Sequence, residues 1–193
     1  MTATTPRFSA PVYSQASVWL HWASACLVVT ALGLAWVREA LEESPWASSL
    51  LKAHRQVGLV LLVLTLVRLG LRARGKRGKS TESTGLLDWA ALALQACLYG
   101  LLLALPLLGW AMTNAQGHEL QWLGLIRLPR LMPTDPDWAD SLQEWHESGA
   151  DALMVLVGLH TAAALFHHLV LKDGVLQSMR LRRQPDSTAT TEQ

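Results

Sequence analysis

The sequence predicts an all-α integral membrane protein, a four-helix bundle with both termini in the cytoplasm. Three features of the 193 residues lead there: four long stretches nearly free of charge, nine Trp against two Phe and two Tyr, and a lopsided placement of Lys and Arg. An apolar helix of about 20 residues crosses the ~30 Å hydrocarbon core. Trp collects at membrane–water boundaries, and loops rich in Lys and Arg stay inside.

The first span is Val18 to Val37, without a single charged residue. Arg38, Glu39, Glu42 and Glu43 follow it, where a cleaved leader would carry a small-residue cleavage site, so it reads as a retained helix. The second runs from about Ala53 to Leu71, with Arg68 near one end where a long side chain can reach the interface. The third, Trp89 to Thr113, is uncharged and contains Pro106, which removes a backbone hydrogen bond and favours a kink. The fourth is Ala152 to Leu171. The connection from Asn114 to about Trp145, with Pro129, Pro133 and Pro136, reads as an extracytoplasmic lid. Residues 1–179 form one domain, and Arg180 to Gln193 form a flexible cytoplasmic tail.

Orientation follows from counting cations. Arg7, Arg72, Arg74, Lys76, Arg77, Lys79, Lys172, Arg180, Arg182 and Arg183 fall on the side holding both termini, against Arg38, Lys52, Arg55, Arg127 and Arg130 on the other. The formal net charge of +1 excludes a global basic field, and no nucleic-acid partner is expected. Two cysteines, Cys26 and Cys97, each inside an apolar run, supply neither a disulfide framework nor a zinc cluster. Gly78-Lys79-Ser80 resembles the end of a phosphate-binding loop, but Ala73 stands where that loop needs glycine.

The histidines carry the chemistry. Six of seven (His21, His54, His146, His160, His167 and His168) lie in or beside the spans, with His118 in a loop. An imidazole without a partner in hydrocarbon costs several kcal/mol, so each is a candidate functional group. For any one of them, hydrogen bonding between helices is an equal alternative. His146 and His160 are 14 residues apart, which returns to within about 40° of one helix face and separates them by about 21 Å. Two histidines per site from facing helices can fill both axial positions of a haem, leaving electron transfer as the natural task. The stack implies two haems.

Partners must sit at matching depth. His54 opens the second span and His146 the fourth, so these two can clamp the outer haem. Opposite His21 stand His160 and, seven residues on and about 20° off the same face, His167; depth mildly prefers His167. His168 points about 100° away, toward lipid or quinone head groups. The third span has no histidine and should pack as a wall, with Gly100, Ala104 and Gly109 allowing close approach. Gly33, Gly58 and Gly158 either make room for a flat macrocycle or serve plain helix packing.

Trp19-Leu20-His21-Trp22, Lys52-Ala53-His54 with Gly58 and Arg68, Trp145-His146-Glu147, and Gly158-Leu159-His160 running to His167-His168 together resemble the bacterial di-haem cytochrome b561 family, most closely its superoxide:quinone oxidoreductase members. The resemblance covers roughly Val12 to Met179 and implies a multi-pass protein of the bacterial inner membrane with two haem b groups. It implies His54 with His146 and His21 with His160 as the iron ligands, and moves His167 to a quinone-facing role beside His168 and Arg74. Some relatives carry histidines near the start of the third span, where this chain has Asp88-Trp89-Ala90. The implied partners are membrane lipid, superoxide outside and a quinone. Lys52 and Arg55 then stand as the residues that steer superoxide or pair with haem propionates. Two other readings are a quinone-linked electron conduit for a periplasmic redox partner, and a haem-free transport or scaffold protein.

The orientation is directly testable. A phosphatase reporter fused after Pro45 or Leu125 should be active, and one fused after Lys79 or Gln193 inactive; the opposite pattern would invert the topology.

Overall fold

The computed structural model describes residues 14–74 and 85–172, together with Leu176 and Met179. Arg7, the cations at 76–79, the Gly78-Lys79-Ser80 run and the 180–193 tail lie outside the described residues. The described chain forms four long helices: α1 (Gln15–Ala40), α2 (Ala47–Arg74), α3 (Leu86–Ala115) and α4 (Pro136–Phe166). A π-helical turn over His167–Leu171 continues α4. All four helices are long and apolar enough to cross a membrane. Large apolar side chains such as Val29, Leu66, Leu92, Val155 and Leu169 face outward, as lipid contact permits and water does not.

Two boundaries differ from the sequence reading, for a local reason. Asp135 caps α4, its side chain accepting from the Trp138 N–H at 3.2 Å, and Pro136 takes the first helical position, where its missing N–H costs nothing. The fourth helix therefore starts at Pro136 instead of Ala152, and His146 sits inside it, not at its opening. The lid read from Asn114 to Trp145 shrinks to residues 116–135 and carries a small antiparallel hairpin, β1 (Gln121–Trp122) and β2 (Ile126–Arg127). Helix α3 runs through Pro106 without interruption.

α1 packs along α2, α2 along α3, and α3 along α4; neither α1 nor α2 packs extensively on α4 among the described residues. One buried residue from each helix, Val28, Leu61, Leu105 and Leu153, forms the central core layer. Each stands seven residues from a histidine (His21, His54 and His146 among them) or, for Leu105, opposite them on the wall helix, which puts the layer about 10 Å of helix rise from the rings. Gly149 admits this packing: a side chain there would come within 2.8 Å of Leu105 Cδ2. The buried hydroxyls of Ser24, Thr65 and Thr113 donate to carbonyls four residues back on their own helices, at 2.7 Å in each case, so they leave no orphan in the apolar interior.

The 116–135 connection marks what is here called the upper end of the bundle. Fully buried Asn114 uses both arms there, Nδ2 donating to the His118 carbonyl at 3.0 Å and Oδ1 accepting from the Leu131 N–H at 2.9 Å. Gln56 of α2 does the same for the hairpin, donating to the Gln121 carbonyl and accepting from the Leu123 N–H, each at 2.8 Å. Trp110 Nε1 donates to the Pro129 carbonyl at 3.1 Å. Exposed Trp19, Trp36, Trp46 and Trp89 lie near helix ends, as interfacial anchors do.

Asn114→Ala should orphan two backbone groups of this connection and cost about 1–3 kcal/mol. The expected readout is a lower unfolding temperature in detergent and faster proteolysis within 116–135; unchanged proteolysis would show that Asn114 is not the staple.

Candidate haem-binding site

Two imidazole pairs face each other across the space that separates α4 from α1 and α2. At the upper end His54 of α2 meets His146 of α4, with ring centroids 6.1 Å apart and planes at 74°. At the lower end His21 of α1 meets His160 of α4, at 6.2 Å and 61°. Two axial metal–nitrogen bonds of about 2 Å, plus about 1 Å from each nitrogen to its ring centre, require roughly 6 Å between centroids. Both pairs therefore have the separation that one iron between them needs. His160, and not the depth-preferred His167, is the ring that faces His21.

Hydrogen bonding orients the upper pair. His54 Nδ1 lies 2.9 Å from the Ala31 carbonyl of α1. A carbonyl only accepts, so Nδ1 carries the ring proton and Nε2 keeps the lone pair that a metal would use. His146 Nδ1 is buried with no hydrogen-bond partner. Its ring is seated against Gly109 of α3, where a Cβ would stand 3.3 Å from Cε1. In the lower pair, Arg68 Nη2 stands 3.4 Å from His21 Nδ1.

Beside the upper pair the helices leave an open, mostly apolar cleft. A cleft of about 820 Å³, its open mouth included, is lined by His54, His146, Arg55, Gly58 and Trp110, with the central core layer as its floor. Gly33, Gly58 and Gly158 have nothing within 4 Å of where a side chain would begin, so they pack against no neighbour and border open space. Gly100, read as a close-approach residue, likewise has no neighbour, whereas Gly109 is in contact with His146. Among the described residues no group of three or more His, Cys, Asp or Glu gathers as a metal cage.

The remaining candidates are distributed between the ends. Arg55 lines the upper cleft, its Nε buried and without a hydrogen-bond partner, and Arg38 is near enough to act on it electrostatically. Lys52 is exposed one turn away. Arg127 and Arg130 both pair with Glu119, at 3.5 and 3.9 Å. At the lower end His167 meets Phe166 edge-on at 6.4 Å, while His168 and Arg74 are exposed. Trp22 Nε1 donates to the Met179 carbonyl at 3.0 Å, which ties the segment after α4 back to α1 beside His21. Sequence reading gave Arg68 only an interfacial role; in the structure it contacts His21 and lies over the Tyr99 ring at 5.4 Å.

Comparison with known proteins identifies the family. A family model described as prokaryotic cytochrome b561 matches residues 12–181. The chain is 35% identical over 177 residues to cytochrome b562 of Cereibacter sphaeroides, covering 88% of this chain and 95% of that one. It is 30% identical over 180 residues to cytochrome b561 homolog 1 of Escherichia coli K12, covering 89% and 98%. It is 29% identical over 175 residues to the probable superoxide oxidase CybB of Yersinia pestis, covering 89% and 97%. Haem b is the cofactor this relationship implies. With four membrane-crossing helices and a match over most of its length, the chain is a multi-pass electron-transfer protein of the bacterial inner membrane and belongs to the prokaryotic cytochrome b561 family.

Proposed function

We propose that the chain is a di-haem superoxide:quinone oxidoreductase that takes electrons from superoxide at the periplasmic face and delivers them to a quinone. The observation that carries this reading is the stacking of two facing imidazole pairs at two depths, with unpaired cations around the upper one. His54 and His146 would hold the upper haem b, and His21 and His160 the lower. Haem b held by these pairs would supply one-electron exchange. In this orientation the upper end is periplasmic, both termini are cytoplasmic, and residues 1–179 form the electron-transfer domain ahead of a cytoplasmic tail.

The stoichiometry closes over two encounters. Two superoxide anions yield two dioxygen molecules and two electrons, and the quinone takes up those electrons with two protons to become quinol. Lys52 and Arg55 attract the anion to the mouth beside His54; Arg55 also suits a porphyrin carboxylate, since a guanidinium can bind one through two parallel hydrogen bonds. Arg127 and Arg130 contribute less because Glu119 offsets their charge. At the lower end His167 and His168 can hand a proton to a quinone oxygen, and Arg74 can hold that oxygen. The similarity to a protein named as a probable superoxide oxidase supports the choice of donor.

A second reading is an electron conduit for a periplasmic redox protein. The hairpin beside the upper cleft favours it, presenting Leu123, Leu125 and Ile126 at 67%, 83% and 57% exposure. Purified protein given an enzymatic superoxide source and a quinone separates the two: haem reduction without any added protein supports the oxidase, and haem that stays oxidised supports the conduit.

His146→Ala and His160→Ala should each lower the haem-to-protein ratio from two to one, whereas His167→Ala should leave it at two. Retention of both haems in His160→Ala would overturn the lower ligand pair. Lys52→Glu should slow haem reduction by superoxide about tenfold at low ionic strength, with the difference fading as salt is added; a salt-independent rate equal to wild type would remove Lys52 from the steering role.

A further inference from the structure

The two imidazole pairs differ in what stands behind them, and that difference has an electrical direction. At the upper end the His54 N–H donates to the Ala31 carbonyl at 2.9 Å. Such a bond pushes electron density onto the ring and makes it a more basic ligand, which favours oxidised iron. At the lower end the group behind His21 Nδ1 is the Arg68 guanidinium, 3.4 Å away. Ligation through Nε2 places the ring proton on Nδ1, so this neighbour cannot accept it and adds only positive charge. A fixed cation favours the state with one fewer positive charge, the reduced one.

The surroundings reinforce the contrast. Arg55 stands in the upper cleft, but there Glu147 acts on His146 with the opposite sign. Arg68 is the cation that acts on both His21 and His160. Arg68 is held in place across α3: it lies over the Tyr99 ring at 5.4 Å, Arg72 lies over the same ring at 5.9 Å, and Arg72 donates to Gln95 Oε1 at 3.0 Å. Neither Arg68 nor Arg72 forms an ion pair with an acid among the described residues.

We propose that Arg68 is a positioning residue that raises the reduction potential of the lower centre above that of the upper one, so that the electron runs downhill from the His54–His146 end to the His21–His160 end. The assignment rests on the two-haem reading given above. It makes the inward direction of transfer a property of contacts within α1, α2 and α3, independent of the donor.

Spectroelectrochemical titration of the detergent-purified holoprotein tests this. His146→Ala should retain the higher-potential component and His160→Ala the lower. In Arg68→Gln the higher component should fall so that the electron distribution between the centres shifts at least tenfold toward the upper one, a change of 59 mV or more for one electron. Arg68→Lys should restore most of it. Two bound haems with equal potentials, the reverse order, or an Arg68→Gln titration identical to wild type would overturn the proposal. A wild-type haem-to-protein ratio of one would instead overturn the two-haem reading on which it stands.

Discussion

The constraint on which the rest of the structure depends is the cost of keeping imidazoles inside an apolar bundle. A ring buried there needs a partner for each nitrogen. His54 Nδ1 finds one in the Ala31 carbonyl, while the opposing faces of both pairs are held about 6 Å apart, too far for a direct hydrogen bond and suited to one metal ion between them. Holding that separation requires helices that do not close on one another. α4 leans on α3 instead of on α1 and α2, and Gly58 lines the cleft left open between them. Contact with α3 thus supplies the packing that α4 forgoes against α1 and α2.

The central layer of Val28, Leu61, Leu105 and Leu153 draws the helices together midway between the two rings on α4. It forms the floor of the upper cleft and isolates one pair from the other. Above it the bundle is anchored by polar staples, Asn114 and Gln56, which organise a connection shorter than its prolines suggest. Below it, Arg68 and Arg72 stack on Tyr99, and the segment after α4 is tied back through Trp22. The two ends of a nearly uniform apolar bundle therefore present different electrostatics to groups bound within it.

Hydropathy alone identified the four spans, because a run of twenty uncharged residues leaves a polypeptide in lipid few alternatives to a helix. It also located the six membrane histidines and matched His54 with His146, since depth along a helix is a linear function of position. The start of α4 was legible in principle. Thr134-Asp135-Pro136 is a helix-opening signal, but its prolines and acids also suit a loop, and the capping geometry decides between them.

What the sequence by itself determined was the class of fold, the side-chain chemistry available and its approximate depth, all of which follow from composition and period. The tertiary structure decided which rings meet. His160 and His167 share a helix face within about 20°, so period cannot choose between them, whereas the packing of α4 against α3 sets its rotation and height and brings His160 to His21. It also decided the place of Arg68, whose neighbours His21 and Tyr99 lie 47 residues before it and on the next helix. Contacts among three helices depend on how those helices are rotated about their axes, and no local pattern encodes that rotation.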